Sequence, residues 1–161
     1  MSRRGWIVAA VVVAAAAAGC SPQGLGLQQP TQIENLRPEL FSNVKIPVTI
    51  SWDEARPLSD GERYMVFVDR NPMAPDESVR SLTDDTCKAT PGCPDKAYLN
   101  QNFIFPTRGT SIEIAILPFQ GSVPVHDLYD LHKATVVIVD AAGARVGEEF
   151  WTRSFYANRE V

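Results

Sequence analysis

The chain has 161 residues, with 15 lysines and arginines against 19 aspartates and glutamates, which gives a net charge of −4 at pH 7. This length suits one domain with a sizeable hydrophobic core. Nucleic-acid binding rewards clustered lysine and arginine, so the acidic balance excludes nucleic acid as an expected partner.

The first twenty residues have the pattern of an export signal. A basic start at Arg3 and Arg4 precedes an apolar run over 6–18. These 13 residues are fewer than the roughly 20 that a helix needs to cross a bilayer. A basic start, a short apolar middle and a small-residue end are typical of a signal peptide. We expect 1–19 to be removed, which leaves 13 basic and 19 acidic residues and a charge of −6.

The end of this segment, Ala17-Ala18-Gly19-Cys20, resembles the lipobox of bacterial lipoprotein signals. In that family a small residue precedes an invariant cysteine, and Ala17 stands where leucine is usual. The resemblance implies a diacylglyceryl group on the sulfur of Cys20 and a fatty acyl chain, such as palmitate, on its amino group. Two or more chains hold a protein firmly on a membrane. The alternative is an ordinary secretory peptide cut near Ala18.

The lipobox resemblance implies that the mature protein sits on the extracytoplasmic face of the cell membrane. Ser21 follows Cys20 where an aspartate would retain a lipoprotein at the inner membrane, so an outer membrane is permitted if the organism has one. Residues 20–43 are rich in glutamine, proline and glycine, which predicts a flexible linker. Residues 33–41 could instead pack on the domain. We place that domain at 44–161.

Residues 44–52 alternate apolar and polar side chains without a break, which predicts a half-buried strand. Pro47 cannot donate to a ladder, so this strand is expected at a sheet edge. The second predicted strand, over 63–70, is apolar on both faces and is expected to be central. Further strands are predicted over 97–107, 110–119, 132–140 and 145–157, with turns at Gly61, Gly109 and Gly143.

Short strands separated by turns, with 12 prolines, predict an all-β sandwich. The last segment, TVVIVDAAGARVGEEFWTRSF, is similar to the final hairpin of many bacterial immunoglobulin-like domains. That resemblance covers roughly 44–156 and implies an immunoglobulin-like antiparallel β-sandwich. A small β-barrel is the alternative fold.

Cys87 and Cys93 remain as a pair if Cys20 carries lipid. An oxidising compartment and the Pro91-Gly92 turn between them favour a disulfide over a zinc site. The pair lies in a loop predicted over 71–95, and loops of this length inside a compact domain are usually functional. We expect its charged side chains to contact a partner: Asp76, Glu77, Arg80, Asp84 and Asp85.

The segment HDLYDLH offers three candidate metal ligands, His126, Asp130 and His132. Histidine and carboxylate suit zinc or copper. On a strand, however, the two histidines would lie some 20 Å apart at about 3.3 Å per residue, so they converge only if the chain turns. The alternative is a polar loop beside a sheet edge, and we expect no metal and no other cofactor.

Nucleophile motifs are missing from the sequence. It has no G-x-S-x-G turn, and neither histidine has an obvious serine or cysteine partner. We therefore expect a non-enzymatic envelope lipoprotein that displays a β-sandwich to an envelope protein or a wall polymer. The alternatives are an extracytoplasmic metal or small-ligand carrier that uses 126–132, and a small hydrolase.

Overall fold

The computed structural model describes residues 33–39, 42–54, 57–118 and 129–158. Within these ranges the chain is mostly β-structure with three short helices. The strands are β1 (Ile33–Arg37), β2 (Asn43–Val44), β3 (Val48–Glu54), β4 (Arg63–Val68), β5 (Ile104–Thr107), β6 (Ser111–Ile114), β7 (Tyr129–Val139) and β8 (Trp151–Asn158). The helices are a 3₁₀ helix (Val79–Leu82), α1 (Asp85–Ala89) and α2 (Lys96–Gln101). No helix in these ranges is both long enough and apolar enough to cross a bilayer.

The described strands form two sheets. One has three strands in the order β1-β3-β6, and the other has five in the order β2-β8-β7-β4-β5. All neighbouring pairs are antiparallel except β2 and β8, which run parallel. The predicted all-β architecture of two sheets is confirmed, and the alternative of one closed barrel is wrong.

The main hydrophobic core lies between the two sheets. Alternate residues of β4, Tyr64, Val66 and Val68, point into it. Trp52 of β3 meets Tyr64 edge to face, with ring centroids 5.0 Å apart. The Tyr64 hydroxyl donates to Glu54 Oε1 at 2.7 Å. Both aromatic side chains are buried, and such pairs add to the free energy gained from burial alone.

A second core lies on the opposite face of the five-stranded sheet. The intervening residues of β4, Met65 and Phe67, point there and are fully buried. They are covered by residues 71–103, which we call the third layer. Its contributions to this core are Met73, Val79, Leu82 and Leu99. The third layer explains why β4 is apolar on both faces: each face is buried against a different part of the chain.

Side-chain caps start the short helices of the third layer. Asp84 accepts a hydrogen bond from the Cys87 N–H at 2.7 Å, and Asp95 accepts one from the Tyr98 N–H at 2.8 Å. The Tyr98 hydroxyl lies 3.1 Å from Asp84 Oδ2, which joins α1 to α2. Each cap satisfies one N–H that would lack a partner in the first turn of its helix. The 3₁₀ helix and α1 lie within 71–95, so the prediction of a loop is wrong for these two segments.

The single strand predicted over 44–52 is two strands in different sheets. Asn43–Val44 pairs with β8, whereas Val48–Glu54 lies between β1 and β6. Pro47 lies before β3, where the chain crosses between the sheets. Its missing N–H therefore does not interrupt the hydrogen bonds of β3, and β3 can be central. The predicted edge position is wrong for β3, which lies between β1 and β6, whereas β2 does lie at the edge of the five-stranded sheet. Residues 33–37, placed in the linker with packing as an alternative, form β1.

The segment predicted as a strand over 97–107 is half helix. Its first residues belong to α2, and only Ile104–Thr107 is a strand. The following connection at Gly109 is not a hairpin, because β5 pairs with β4 while β6 pairs with β3 in the other sheet. The chain therefore crosses between layers here, as it does at Pro47.

The positions of β4 and of the turn at Gly143 agree with the sequence more closely than the start of β8 does. β4 is central, as predicted, because it pairs with both β5 and β7. Gly143 turns the chain with φ +81°, in the left-handed region that favours glycine. β8 begins only at Trp151, and Phe150 is 57% exposed. The strand predicted over 145–157 therefore starts later than expected.

Candidate functional site

The third layer is cross-linked by the predicted disulfide. Cys87 lies on α1 and is buried, and it is bonded to Cys93 with the two Cα atoms 5.3 Å apart. The Cys93 N–H donates to the Thr90 carbonyl at 3.2 Å, which closes the turn between them. The disulfide therefore fixes the start of α2 against α1.

The five side chains predicted to contact a partner are all exposed on the third layer: Asp76, Glu77, Arg80, Asp84 and Asp85. Two of them also organise the layer. Arg80 Nη2 donates to the Lys88 carbonyl at 2.8 Å, and Asp84 caps α1. The hydrogen bond from the Cys87 N–H, helped by that from Tyr98, holds the pKa of Asp84 below its ordinary value.

A pocket of about 350 Å³ lies between the third layer and the edge of the five-stranded sheet. Three cations line it: Arg63 at the start of β4, Arg80 on the 3₁₀ helix and Lys96 at the start of α2. Met65 and Leu99 contribute apolar lining. The described residues around this pocket include no aspartate or glutamate, although the chain as a whole is acidic.

No cation of this pocket takes part in a salt bridge within the described ranges. The salt bridges within the described ranges join Arg37 to Asp53, Lys88 to Asp85, and His132 to Asp69. Arg63 also has a buried Nε with no hydrogen-bond partner in those ranges. A buried N–H without a partner costs free energy, so native structures pair nearly all of them.

Arg145 joins the third layer to the connection between β7 and β8. Its guanidinium is buried and donates to the carbonyls of Met73 at 2.9 Å and Glu148 at 2.6 Å. A weaker contact reaches the Glu149 carbonyl at 3.3 Å, and the group lies over the Phe150 ring. Burial lowers the pKa of Arg145, and the charge of Glu148 offsets part of that effect.

The predicted metal candidates do not form a group of three ligands in the described residues. His126 lies outside those residues. Asp130 and His132 are both buried on β7, two residues apart and on one face. His132 Nδ1 lies 2.7 Å from Asp69 Oδ2, and its ring packs against Phe155. No set of three or more potential ligands is found in the part of the chain that the structure describes.

Asp69 is held in place by more than His132. Its Oδ1 accepts a hydrogen bond from the Lys133 N–H at 2.7 Å, and its own N–H donates to the Lys133 carbonyl. Its backbone has φ +53°, which aspartate tolerates better than most residues. These hydrogen bonds join the end of β4 to β7. They also explain why His132 can be buried, since Asp69 is its hydrogen-bond partner.

Sequence reasoning missed Arg63, Lys96 and Arg145, because isolated cations at or beside the starts of predicted strands give no periodic signal. The helices around the pocket did leave a signal. Ser78, Asp84 and Asp95 each cap the helix that follows them, and such residues before a helical turn are standard start signals. Reading these caps would have placed the 3₁₀ helix and α1 within the predicted loop and α2 at the start of the strand predicted over 97–107.

Comparison of the chain with models of protein families, with curated proteins and with solved structures found no match.

Proposed function

We propose that this chain is a non-enzymatic, lipid-anchored protein of the cell envelope. Its β-sandwich presents the third layer to another envelope protein or to a wall polymer. The lipid on Cys20 supplies the membrane link, because an acidic domain gains nothing from anionic headgroups. Residues 1–20 lie outside the described ranges, and this part of the proposal rests on the sequence pattern alone.

The observation that carries the proposal is the construction of the third layer. It has its own core against β4 and β7 and a disulfide across its helices. The charged side chains named above are exposed on this layer. Binding residues are commonly held on segments that a rigid scaffold positions. A fixed charged surface loses less conformational freedom on binding than a flexible loop does.

The disulfide also supports an extracytoplasmic location. Disulfides persist in secreted and periplasmic proteins and are rare in the reducing cytosol. The two-sheet architecture is consistent with an immunoglobulin-like arrangement, and we include that relationship in the proposal. The parallel pairing of β2 with β8 and the third layer are additions to a simple sandwich of that type.

A pull-down from detergent-solubilised envelope tests the presented surface. We compare the full chain with a triple variant that removes three exposed carboxylates, Asp76→Asn, Glu77→Gln and Asp85→Asn. Amides of the same shape preserve the fold, whereas deleting the segment would expose the second core. We expect the variant to lose the partners that the unmodified chain retains.

The matched control neutralises three exposed carboxylates elsewhere, Glu34→Gln, Asp60→Asn and Glu113→Gln. It changes the net charge by the same amount and leaves the third layer untouched. Retained partners in the control and lost partners in the first variant support the proposal. Identical partners for all three proteins contradict it.

The anchor is tested separately by mass spectrometry of the protein from its native envelope. We expect an amino terminus at Cys20 that carries acyl chains, and a Cys20→Ser variant that leaves the membrane fraction. An unmodified thiol at this position, or native protein recovered in the cytosol, would overturn the anchored location.

A further inference from the structure

We propose that the pocket lined by Arg63, Arg80 and Lys96 is a binding site for a small anionic ligand that carries a carboxylate or phosphate group. The juxtaposition of three cations around one cavity, with no acidic residue in its described lining, is the feature that assigns this ligand class. The inference concerns the isolated protein, so it stands or falls independently of the lipid anchor and of the envelope partner.

Charge is the first argument. The three cations come from three different elements, β4, the 3₁₀ helix and α2. Like charges that line one cavity repel each other, and an anion between them converts the repulsion into attraction. The net acidity of the chain makes such a local excess of positive charge unexpected on composition alone.

The lack of carboxylate partners is the second argument. None of the salt bridges within the described ranges includes Arg63, Arg80 or Lys96. Arg80 is oriented by its bond to the Lys88 carbonyl, which leaves the rest of its guanidinium available. Guanidinium groups suit carboxylate and phosphate oxygens, because their planar donors match two oxygens at once.

The shape of the pocket is the third argument. Its apolar lining comes from Met65, Val79 and Leu99, which belong to the second core and are buried. The pocket volume lies at the lower end of the range of small-molecule sites, which combine apolar walls with a few convergent polar groups. The disulfide partner Cys93 also lines it, so the site depends on the cross-linked conformation.

Isothermal titration calorimetry of the full chain in non-ionic detergent tests the proposal. The probes are succinate and inorganic phosphate at low ionic strength, with uncharged succinamide as the neutral counterpart of the dicarboxylate. We expect succinate, phosphate or both to bind and succinamide not to bind. Affinity should fall as salt is added, because screening weakens the attraction. A preference between the two anions identifies the group that the site takes.

The variants Arg63→Gln and Lys96→Gln should each weaken anion binding about tenfold or more, since each removes one of the converging charges. Lys88→Gln is the matched control, because it removes a cation from the same layer that does not line the pocket. Circular dichroism of each variant verifies the fold, and Lys96, which is exposed, provides a test that does not disturb the sheet. The proposal is overturned if neither anion binds with a Kd of about 10 mM or tighter. It is also overturned if the pocket variants bind as well as Lys88→Gln does.

Discussion

Replacing Arg145 by leucine should weaken the packing of the third layer against the sandwich. The guanidinium makes two short hydrogen bonds, to the carbonyls of Met73 and Glu148, at 2.9 Å and 2.6 Å. A hydrogen bond to a charged group contributes about 1.5–3 kcal/mol net, so the two together contribute about 3–6 kcal/mol. The unpartnered Nε and the burial of the charge offset about 1–3 kcal/mol of this. We therefore expect Arg145→Leu to lower the free energy of unfolding by about 2–3 kcal/mol.

The assay is urea denaturation followed by tryptophan fluorescence, together with amide hydrogen exchange. A loss of this size corresponds to a fall in Tm of about 8–12 °C for a domain of this length. The change should also be local. The Val79 N–H donates to the Gly143 carbonyl and the Asp76 N–H to the Arg145 carbonyl. These amides of the third layer should exchange faster than those of β4, because part of a fold can open without the rest.

Arg153→Leu is the matched control for this prediction. Arg153 lies over the Trp151 ring at 5.7 Å and is only half-buried. An exposed cation–π contact is worth about 0.5–1 kcal/mol, so this variant should stay close to the unmodified protein. Equal losses of stability in Arg145→Leu and Arg153→Leu, or uniform changes in hydrogen exchange, would refute the role assigned to Arg145.

Three further predictions concern the disulfide, the cap of α1 and the buried histidine. The double variant Cys87→Ala and Cys93→Ala should lose about 2.4 kcal/mol in urea denaturation, from the loop-entropy relation for a ring of about seven residues. A loss near zero would show that the reduced chain already keeps this turn. The pKa of Asp84 is lowered on folding, so its contribution to stability is complete above the unfolded pKa of about 3.9 and is lost as the pH falls through the lower folded pKa. The stability difference between the unmodified chain and Asp84→Ala should therefore be constant from pH 7 to 5 and shrink below pH 4; a difference that grows there contradicts it. His132→Leu should cost about 2–4 kcal/mol, because it removes the partner of Asp69 Oδ2 while the Lys133 N–H still donates to Oδ1, and adding Asp69→Asn should recover part of that loss. Strictly additive losses would contradict the pairing.

Strand positions were predictable wherever the hydrophobic pattern had one physical cause. The segment over 63–70 is apolar on both faces because both faces of β4 are buried, and its central position followed directly. Gly143 marked its turn because the chain needs a positive φ there. The pairing of Cys87 with Cys93 followed from spacing and the turn between them.

The failures occur where the chain passes from one layer to another. Alternation continues from Val44 to Trp52, yet the backbone changes sheets at Pro47, because alternation specifies which side chains are buried and not which strand they pair with. The same limit explains the wrong hairpin at Gly109. The pocket was missed for a related reason: Arg63, Arg80 and Lys96 are neighbours only after three separate elements have packed.

Stability and binding in this protein depend on the same segment. Without the third layer, the outer face of β4 and β7 would expose Met65, Phe67, Val137 and Val139, all of which are buried in the structure. The pocket lies at the edge of that cover, where β4 begins at Arg63. Loosening the layer should therefore weaken anion binding together with stability, as in Arg145→Leu. Removing a pocket charge, as in Lys96→Gln, should weaken anion binding and leave stability unchanged. If the site depends on the folded third layer, the two variants should differ in this way.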